Sequence, residues 1–106
     1  MLRIQLSTLS VTGRLLGTRP LALPIRDTIE AALAADALEK VEIDFEGTNP
    51  TQSFVDELIG VLVLEHGPKI LQRLVMKNCT DSVKSILHFV VSARIDRHHN
   101  AHDEYA

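Results

Sequence analysis

Residues 41–60, VEIDFEGTNPTQSFVDELIG, place the strongest constraint on how this chain of 106 residues can fold. Residues 41–45 alternate apolar and acidic side chains, which is the period of a strand with one buried face. A polar loop with a glycine and a proline follows and cannot continue the strand. Ser53 and Asp56 then form a Ser-x-x-acid capping signature ahead of an apolar run. A buried strand therefore leads through a polar loop into an apolar helix, and in open α/β sheets such loops often carry function.

The chain before this stretch predicts two strands and a helix. Residues 2–8 alternate apolar and polar side chains, as a strand with one wet face does. Residues 12–13 are typical of a turn, and residues 14–16 predict a very short second strand ended by Gly17. Helical spacing predicts a first helix from about Pro20 to Leu38, with Thr18 as its N-cap. Pro24 should kink this helix or delay its start.

The chain after this stretch predicts one more strand and one more helix. Gly67 and the proline after it end the central helix, and residues 71–76 predict a strand. Thr80 or Asp81 caps a last helix that keeps apolar spacing to about residue 94. Residues 96–106 contain few large apolar side chains and predict a polar, His-rich and frayed C-terminal tail.

Alternation of strands and helices predicts an α/β fold. We expect a small single-layer β-sheet, parallel or mixed, with about three helices packed on it and right-handed crossovers. The length suits one domain, which we place at residues 1–95, followed by the tail at residues 96–106.

Composition excludes several classes of partner. The net charge is −3, no run of Lys or Arg occurs, and four aromatic residues offer no stacking platform, so neither nucleic acid nor an anionic membrane surface is expected as a partner. Cys79 has no second cysteine to pair with. The start lacks the pattern of a signal peptide, and no apolar run approaches the roughly 18 residues that span a membrane. We therefore expect a soluble, cytoplasmic protein.

No set of catalytic or ligand-binding residues stands out. Nothing places a histidine near Ser53, and neither nucleophile-elbow glycines nor a Gly-rich phosphate loop is present. His98 and His102 have i, i+4 spacing but lack an apolar shell that would fix their rings. We expect no catalytic residues, no metal site and no cofactor.

Several short motifs together resemble the STAS-like family of unknown function. They are the VEIDFEG strand, the SFVDEL helix start from Ser53, Lys77-Asn78-Cys79, Thr18-Arg19 and Arg94, and the resemblance covers about residues 2–95. That family is similar to the STAS domains of bacterial anti-sigma factor antagonists, which bind a histidine-kinase-like ATPase that acts as a serine kinase. The resemblance implies that the α/β fold given above is a STAS-like domain, and it implies a partner of that kind.

The antagonists carry an Asp-Ser-Ser/Thr-Gly motif at the matching loop, where a Ser or Thr is phosphorylated. Here the sequence is Gln52-Ser53-Phe54-Val55, so Ser53 is the candidate phosphoacceptor, although the acid and the glycine are missing. A purely structural alternative makes Ser53 the N-cap that accepts the Asp56 N–H, a role worth about 1 kcal/mol. Asp56 and Glu57 would repel a phosphate on Ser53, against the favourable helix N-terminus.

The resulting hypothesis is a non-enzymatic regulatory module that acts on a partner ATPase or serine kinase through residues 46–57. An antitoxin or immunity-type inhibitor, which would use the acidic patch, is the alternative; a small enzyme ranks last. The sequence leaves a homodimer open. The predicted partner-binding residues are Thr48, Asn49, Thr51, Gln52, Ser53, Asp56 and Glu57.

Two further features of the central stretch need a structural explanation. Glu42, Asp44 and Glu46 share one strand face and cannot all be buried unpaired, so this face is either wet or paired with arginine, with Arg19 and Arg94 as the candidate partners. Gly60 interrupts a helix at a cost of about 1 kcal/mol relative to alanine, which predicts a close approach of a neighbouring element. Residues 61–64 are apolar on all sides, which indicates burial against both neighbouring helices or a docking face for another protein.

Overall fold

The computed structural model describes residues 1–8 and 15–103 of the chain. Strands β1 (Leu2–Gln5), β3 (Val41–Asp44) and β5 (Leu74–Lys77) form a parallel sheet with β3 in the middle. Strands β2 (Leu15–Leu16) and β4 (Asn49–Pro50) form a second, two-stranded parallel sheet. The predicted α/β fold with a small parallel sheet is confirmed; the predicted turn at residues 12–13 and residue 14 lie outside the described residues.

Four α-helices accompany the sheet in the described part of the chain, close to the number of about three that was predicted. The α-helices are α1 (Arg19–Ala35), α2 (Gln52–Val55), α3 (Val61–His66) and α4 (Asp81–Asp103), a π-helical segment spans Asp56–Gly60, and 3-10 turns span Leu6–Thr8 and Pro68–Arg73. Among the described residues, no helix combines the length and the hydrophobicity needed to cross a lipid bilayer.

The three-stranded sheet has one apolar face and one polar face. Ile4, Val41 and Ile43 belong to the buried core, as the alternation predicts. On the opposite face the Glu42 carboxylate lies 3.7 Å from Arg3 Nε and 3.3 Å from Lys77 Nζ. The strand acids therefore find their cations on the neighbouring strands.

The expected pairing of these strand acids with Arg19 and Arg94 is wrong. Asp44 Oδ1 instead accepts hydrogen bonds from Asn78 Nδ2 at 2.9 Å and from the Glu46 N–H at 2.9 Å. The Asn78 bond, followed by the Glu46 N–H, lowers the pKa of the Asp44 carboxyl. A side chain on a strand lies closer to side chains of the neighbouring strands than to those of a helix across the fold. The strand acids therefore pair with nearby cations and an amide instead of with the helix arginines.

The helical stretch of residues 52–66 is the centre of the core. Its buried side chains recur every four residues, as Phe54-Val55, Leu58-Ile59 and Leu62-Val63. In an α-helix such a repeat drifts by about 80° over eight residues, because each residue turns 100°. The π-helical segment, in which the Val61 N–H donates to the Asp56 carbonyl, is wider than an α-helical turn and takes up part of this drift.

Both neighbouring helices cover this central stretch. Helix α1 packs on α2 and on the π-helical segment, and α4 packs on α2, the π-helical segment and α3. Leu58, Ile59, Leu62 and Val63 are consequently excluded from solvent. Of the two explanations for an all-apolar helix, burial against both neighbours is confirmed.

Helix α1 begins at Arg19 in spite of the two prolines near its start. Thr18 is the N-cap residue by its extended backbone, although its side chain makes no capping hydrogen bond. Pro24 lies inside the helix and does not delay its start, so that part of the prediction is wrong. The missing N–H of Pro24 leaves only the carbonyl of the exposed Pro20 without its helical partner, and water can bind there.

Several predicted boundaries differ from the structure: α1 ends at Ala35 rather than at Leu38, and β5 begins at Leu74 rather than at residue 71. The first strand ends at Gln5 rather than near residue 8, because Leu6–Thr8 forms a 3-10 turn in which Thr8 Oγ1 donates to the Gln5 carbonyl at 2.8 Å. The last helix runs on to Asp103, so the expectation of a frayed tail is wrong for residues 96–103. His98 Nδ1 lies 2.8 Å from the Leu64 carbonyl oxygen and ties this extension to the end of α3. Residues 104–106 lie outside the described part.

Candidate functional site

The loop after β3 is a tight turn fixed by its own backbone and side chains. Thr48 donates to the Phe45 carbonyl both through its N–H at 3.1 Å and through Oγ1 at 2.6 Å. Gly47 has φ of +70°, a left-handed conformation that glycine adopts without strain. The turn leads into β4, whose pairing with β2 fixes where the central helix begins.

Thr51, and not Ser53, caps the central helix. Its extended backbone precedes Gln52, its Oγ1 accepts the Phe54 N–H at 3.2 Å, and the same hydroxyl donates to the Gly17 carbonyl at 3.2 Å. The helix thus starts two residues earlier than the Ser-x-x-acid signature suggested, and the capping role predicted for Ser53 is wrong. Ser53 is exposed in the first turn and makes no side-chain hydrogen bond among the described residues.

Asp56 is held by two arginines that come from the two neighbouring helices. Arg94 of α4 binds the carboxylate with both ends of its fork, Nε to Oδ1 at 2.8 Å and Nη2 to Oδ2 at 2.7 Å. Arg19 of α1 adds a contact from Nη1 to Oδ2 at 2.8 Å. The hydrogen bond from Arg94, with a smaller contribution from Arg19, holds the pKa of Asp56 below its usual value even though burial opposes this.

Glu57 is paired in the same way on the α1 side. Arg19 Nη1 lies 3.1 Å from Oε2, and Arg26 Nη1 donates to Oε1 at 3.0 Å and to the Glu57 carbonyl at 2.9 Å. Sequence reasoning missed Arg26, but a signal was present. Arg26 follows Arg19 by seven residues, which places both on one face of a helix.

The pairing changes the electrostatics that the sequence suggested. The two carboxylates of Asp56 and Glu57 face three guanidinium groups, from Arg19, Arg26 and Arg94, so this cluster has a net charge of +1. The prediction that the two acids repel a phosphate on Ser53 did not take these three arginines into account. The net positive charge of this cluster would attract a phosphate placed next to it.

Gly60 provides the space in which the Asp56–Arg94 pair sits. A Cβ at this position would lie 2.8 Å from Val90 Cγ1 and 3.1 Å from Arg94 Cγ, and it would also press on the Asp56 carboxylate. Real Cβ atoms do not approach other atoms this closely, so only glycine fits without a shift. The predicted close approach at Gly60 is confirmed, and α4 is the element that makes it.

The predicted partner-binding residues fall into two groups. Asn49, Gln52 and Ser53 are exposed, whereas Thr48, Thr51, Asp56 and Glu57 are half-buried and occupied in the hydrogen bonds described above. The exposed first turn opens into a groove of about 330 Å³ against α4. Sequence reasoning missed the α4 side of this groove, where an exposed aromatic ring and two arginines lie; its lining includes Arg19, Ser53, Asp56, Phe89, Arg94 and Arg97.

Other groups with potential chemistry lie away from this groove. Burial is the main cause that raises the pKa of the Cys79 thiol, which disfavours the reactive thiolate. Glu30, Glu65 and His66 each bring one oxygen or nitrogen atom within 4.8 Å of the others, at a corner where His66 Nε2 already lies 3.4 Å from Glu30 Oε1. Exposed sets of this kind are common without a metal ion.

The chain matches a known family of domains. A family model described as a STAS-like domain of unknown function (DUF4325) matches residues 22–84, which is more than half of the chain. No curated protein and no solved structure gives a significant match. The matched range includes β3, the loop after it, the whole central helical stretch and β5, and it ends within the first turn of α4.

Proposed function

Because the chain belongs to the family of STAS-like domains of unknown function, we propose that it is a non-enzymatic module that regulates a protein partner. The resemblance of such domains to anti-sigma factor antagonists makes a histidine-kinase-like ATPase or serine kinase the proposed partner. The proposed contact surface is residues 46–57, and Ser53 is the proposed phosphoacceptor. As part of the same proposal, the protein acts in the cytoplasm of a bacterium and binds a protein rather than a nucleic acid or a membrane.

The observation that carries this proposal is the state of the Ser53 hydroxyl. The strongest alternative use for this serine was to cap the helix, and Thr51 performs that task. Ser53 lies exposed beside a groove, where a kinase can reach it. Next to it, Asn49 and Gln52 are also exposed and complete an accessible polar surface on a rigid strand and helix.

The electrostatics support a modification at this position. A phosphate on Ser53 would add about 1.5 to 2 negative charges near neutral pH. Arg19 and Arg94 line the same groove as Ser53, so cations that can neutralise this charge are already in place. Phosphorylation would then change the charge and shape of the contact surface, which is how an interaction is switched off or on.

The alternative of an antitoxin or immunity-type inhibitor rested on an acidic patch formed by Asp56 and Glu57. Both carboxylates are taken up by arginines of the same chain, and their side chains are only 15% and 17% exposed. They are therefore poor contacts for a basic groove on a toxin. No other observation favours this alternative.

The test is a binding experiment with three forms of the protein. The wild type, Ser53→Ala and Ser53→Asp are used as baits in a lysate of the source cells, and mass spectrometry identifies retained proteins and phosphorylated residues. We expect the wild type and Ser53→Ala to retain an ATPase or kinase, and Ser53→Asp to lose it. We also expect phosphate on Ser53 after incubation of the wild type with that partner and ATP.

Ser85→Asp is the matched control, because Ser85 is an exposed serine on α4 that does not line the groove. It adds the same charge at another site and should leave the interaction unchanged. If Ser85→Asp disrupts binding as strongly as Ser53→Asp, net charge and not the proposed surface is responsible. If no ATPase or kinase is retained by any form, the proposed partner is wrong.

A further inference from the structure

We propose that the groove between the first turn of the central helix and α4 binds a phosphate monoester, through the guanidinium groups of Arg19, Arg94 and Arg97 and the ring of Phe89. This goes beyond the proposed function, because it assigns a ligand class to α4 residues outside the 46–57 surface. It does not require Ser53 to be phosphorylated. Three observations carry it: unused donors, the local charge and an exposed ring.

The arginines that line the groove have hydrogen-bond donors to spare. Arg19 contacts Asp56 and Glu57 through Nη1 alone, and Arg94 contacts Asp56 through Nε and Nη2. Among the described residues, Arg26 Nε is the one fully buried side-chain nitrogen or oxygen without a partner, so the unused Nη1 of Arg94 is not fully buried. Within the same part of the chain, Arg97 is exposed and makes no hydrogen bond or ion pair.

The charge of the groove is opposite to that of the chain. Three guanidinium groups and the single carboxylate of Asp56 line it, which gives a net charge of +2 in a chain with a net charge of −3. Both oxygens of Asp56 already accept hydrogen bonds from Arg94 and Arg19, so this carboxylate stabilises the cations more than it repels a ligand. A phosphate monoester carries up to two charges and three acceptor oxygens, and the planar fork of arginine matches that geometry.

The exposed ring decides what kind of phosphate fits. Phe89 is a large apolar side chain that is 58% exposed. It lines the groove together with the arginines, so an organic group attached to the phosphate can pack on its face. The groove has a volume of about 330 Å³, enough for a phosphate with a group the size of one ring. The proposed ligand is therefore a phosphate on an organic group rather than free phosphate.

The experiment uses phenyl phosphate and inorganic phosphate as probes of the whole chain. Backbone amide shifts are followed by NMR while each probe is added at constant ionic strength. We expect saturable shifts at Ser53, Arg94 and Arg97, and tighter binding of phenyl phosphate than of inorganic phosphate. Arg97→Gln should weaken both probes about fivefold, in line with the value of an exposed ion pair. Phe89→Ala should remove the preference for phenyl phosphate.

Arg3→Gln is the control for unspecific attraction of anions. Arg3 is an exposed arginine on the polar face of the sheet that does not line the groove, and its removal changes the net charge as Arg97→Gln does. It should leave both affinities unchanged. Absence of saturable shifts, or equal weakening by Arg3→Gln and Arg97→Gln, overturns the proposal. Equal affinity for the two probes overturns the role of Phe89.

Discussion

Substitution of Gly60 by alanine tests whether the packing of α4 against the central helix follows from one missing methyl group. The backbone of Gly60 has φ of −59° and ψ of −41°, which alanine adopts readily. In an ordinary helix interior this substitution would stabilise the protein by about 1 kcal/mol. The surroundings of Gly60 predict the opposite sign.

The size of the effect follows from the contacts that the new methyl group would make. Val90 Cγ1 at 2.8 Å and Arg94 Cγ at 3.1 Å must both give way, and overpacking of this kind costs about 1 to 3 kcal/mol. The methyl group also presses on the Asp56 carboxylate and disturbs its pair with Arg94, for which we add about 1 kcal/mol. After the gain in helix propensity, the net loss is about 2 kcal/mol.

Thermal unfolding followed by circular dichroism measures this loss directly. For a chain of this length, 2 kcal/mol corresponds to a fall in Tm of about 9 °C. The control is the same substitution in a background with Asp56→Ala and Val90→Ala, which removes the two nearest obstacles; there Gly60→Ala should be neutral or slightly stabilising. If Gly60→Ala raises the Tm of the otherwise wild-type protein, the helices do not approach as closely as described and the reasoning fails.

Three further predictions concern single side chains. Thr51→Ala should lower the free energy of unfolding by about 1 kcal/mol through loss of the cap, whereas Ser53→Ala should change it by less than about 0.5 kcal/mol, as urea titration will show. The Asp56 carboxyl has a lowered pKa in the folded state, so its contribution is present above its unfolded pKa of about 3.8 and is lost as the pH falls through the folded value. Urea midpoints measured from pH 7 down to about pH 3 should therefore fall more steeply for the wild type than for Asp56→Asn. Arg73→Met should cost about 2 kcal/mol by chemical denaturation, because Arg73 donates to three backbone carbonyls at and beyond the end of α1.

Each of these predictions has an outcome that contradicts it. Equal losses for Thr51→Ala and Ser53→Ala would mean that the two hydroxyls share the capping role. Parallel urea curves for the wild type and Asp56→Asn at low pH would mean that the Arg94 and Arg19 contacts do not favour the charged form. Full stability of Arg73→Met would mean that water replaces all three hydrogen bonds; Arg97→Met, at an exposed position of α4, is the control for the loss of an arginine.

The regular parts of the fold could be predicted because their patterns are local. Alternation along residues 41–45 and the apolar run of the central stretch follow from which side chains must be buried. The close approach at Gly60 was predictable for another local reason, since a glycine inside an otherwise favourable helix needs an explanation. These features depend only on the order and spacing of residues along the chain, which can be read directly from the sequence.

Choices between equivalent partners could not be predicted in this way. Thr51 and Ser53 are both good capping residues two positions apart, and the choice depends on Gly17, which is distant in sequence and accepts a hydrogen bond from Thr51. The need of Arg19 and Arg94 for carboxylates was clear, but whether those would be strand acids or helix acids depends on the distance between layers. The helix past residue 94 had a signal that was overlooked: residues 81–103 contain neither glycine nor proline, so nothing in them stops a helix.

The π-helical segment Asp56–Gly60 makes the central helix tolerant of the loss of one residue at this point. A π-helical turn holds about one residue more than an α-helical turn, so loss of one residue from this segment would convert it into a regular α-helical turn. Leu62 and Val63 would keep nearly the same direction around the helix axis and would stay in the core. The same loss from a regular α-helical part of this stretch would instead rotate every later residue by about 100°. A relative with one residue fewer in this segment would therefore keep the same core, whereas one with a residue fewer elsewhere in the helix would need a different one.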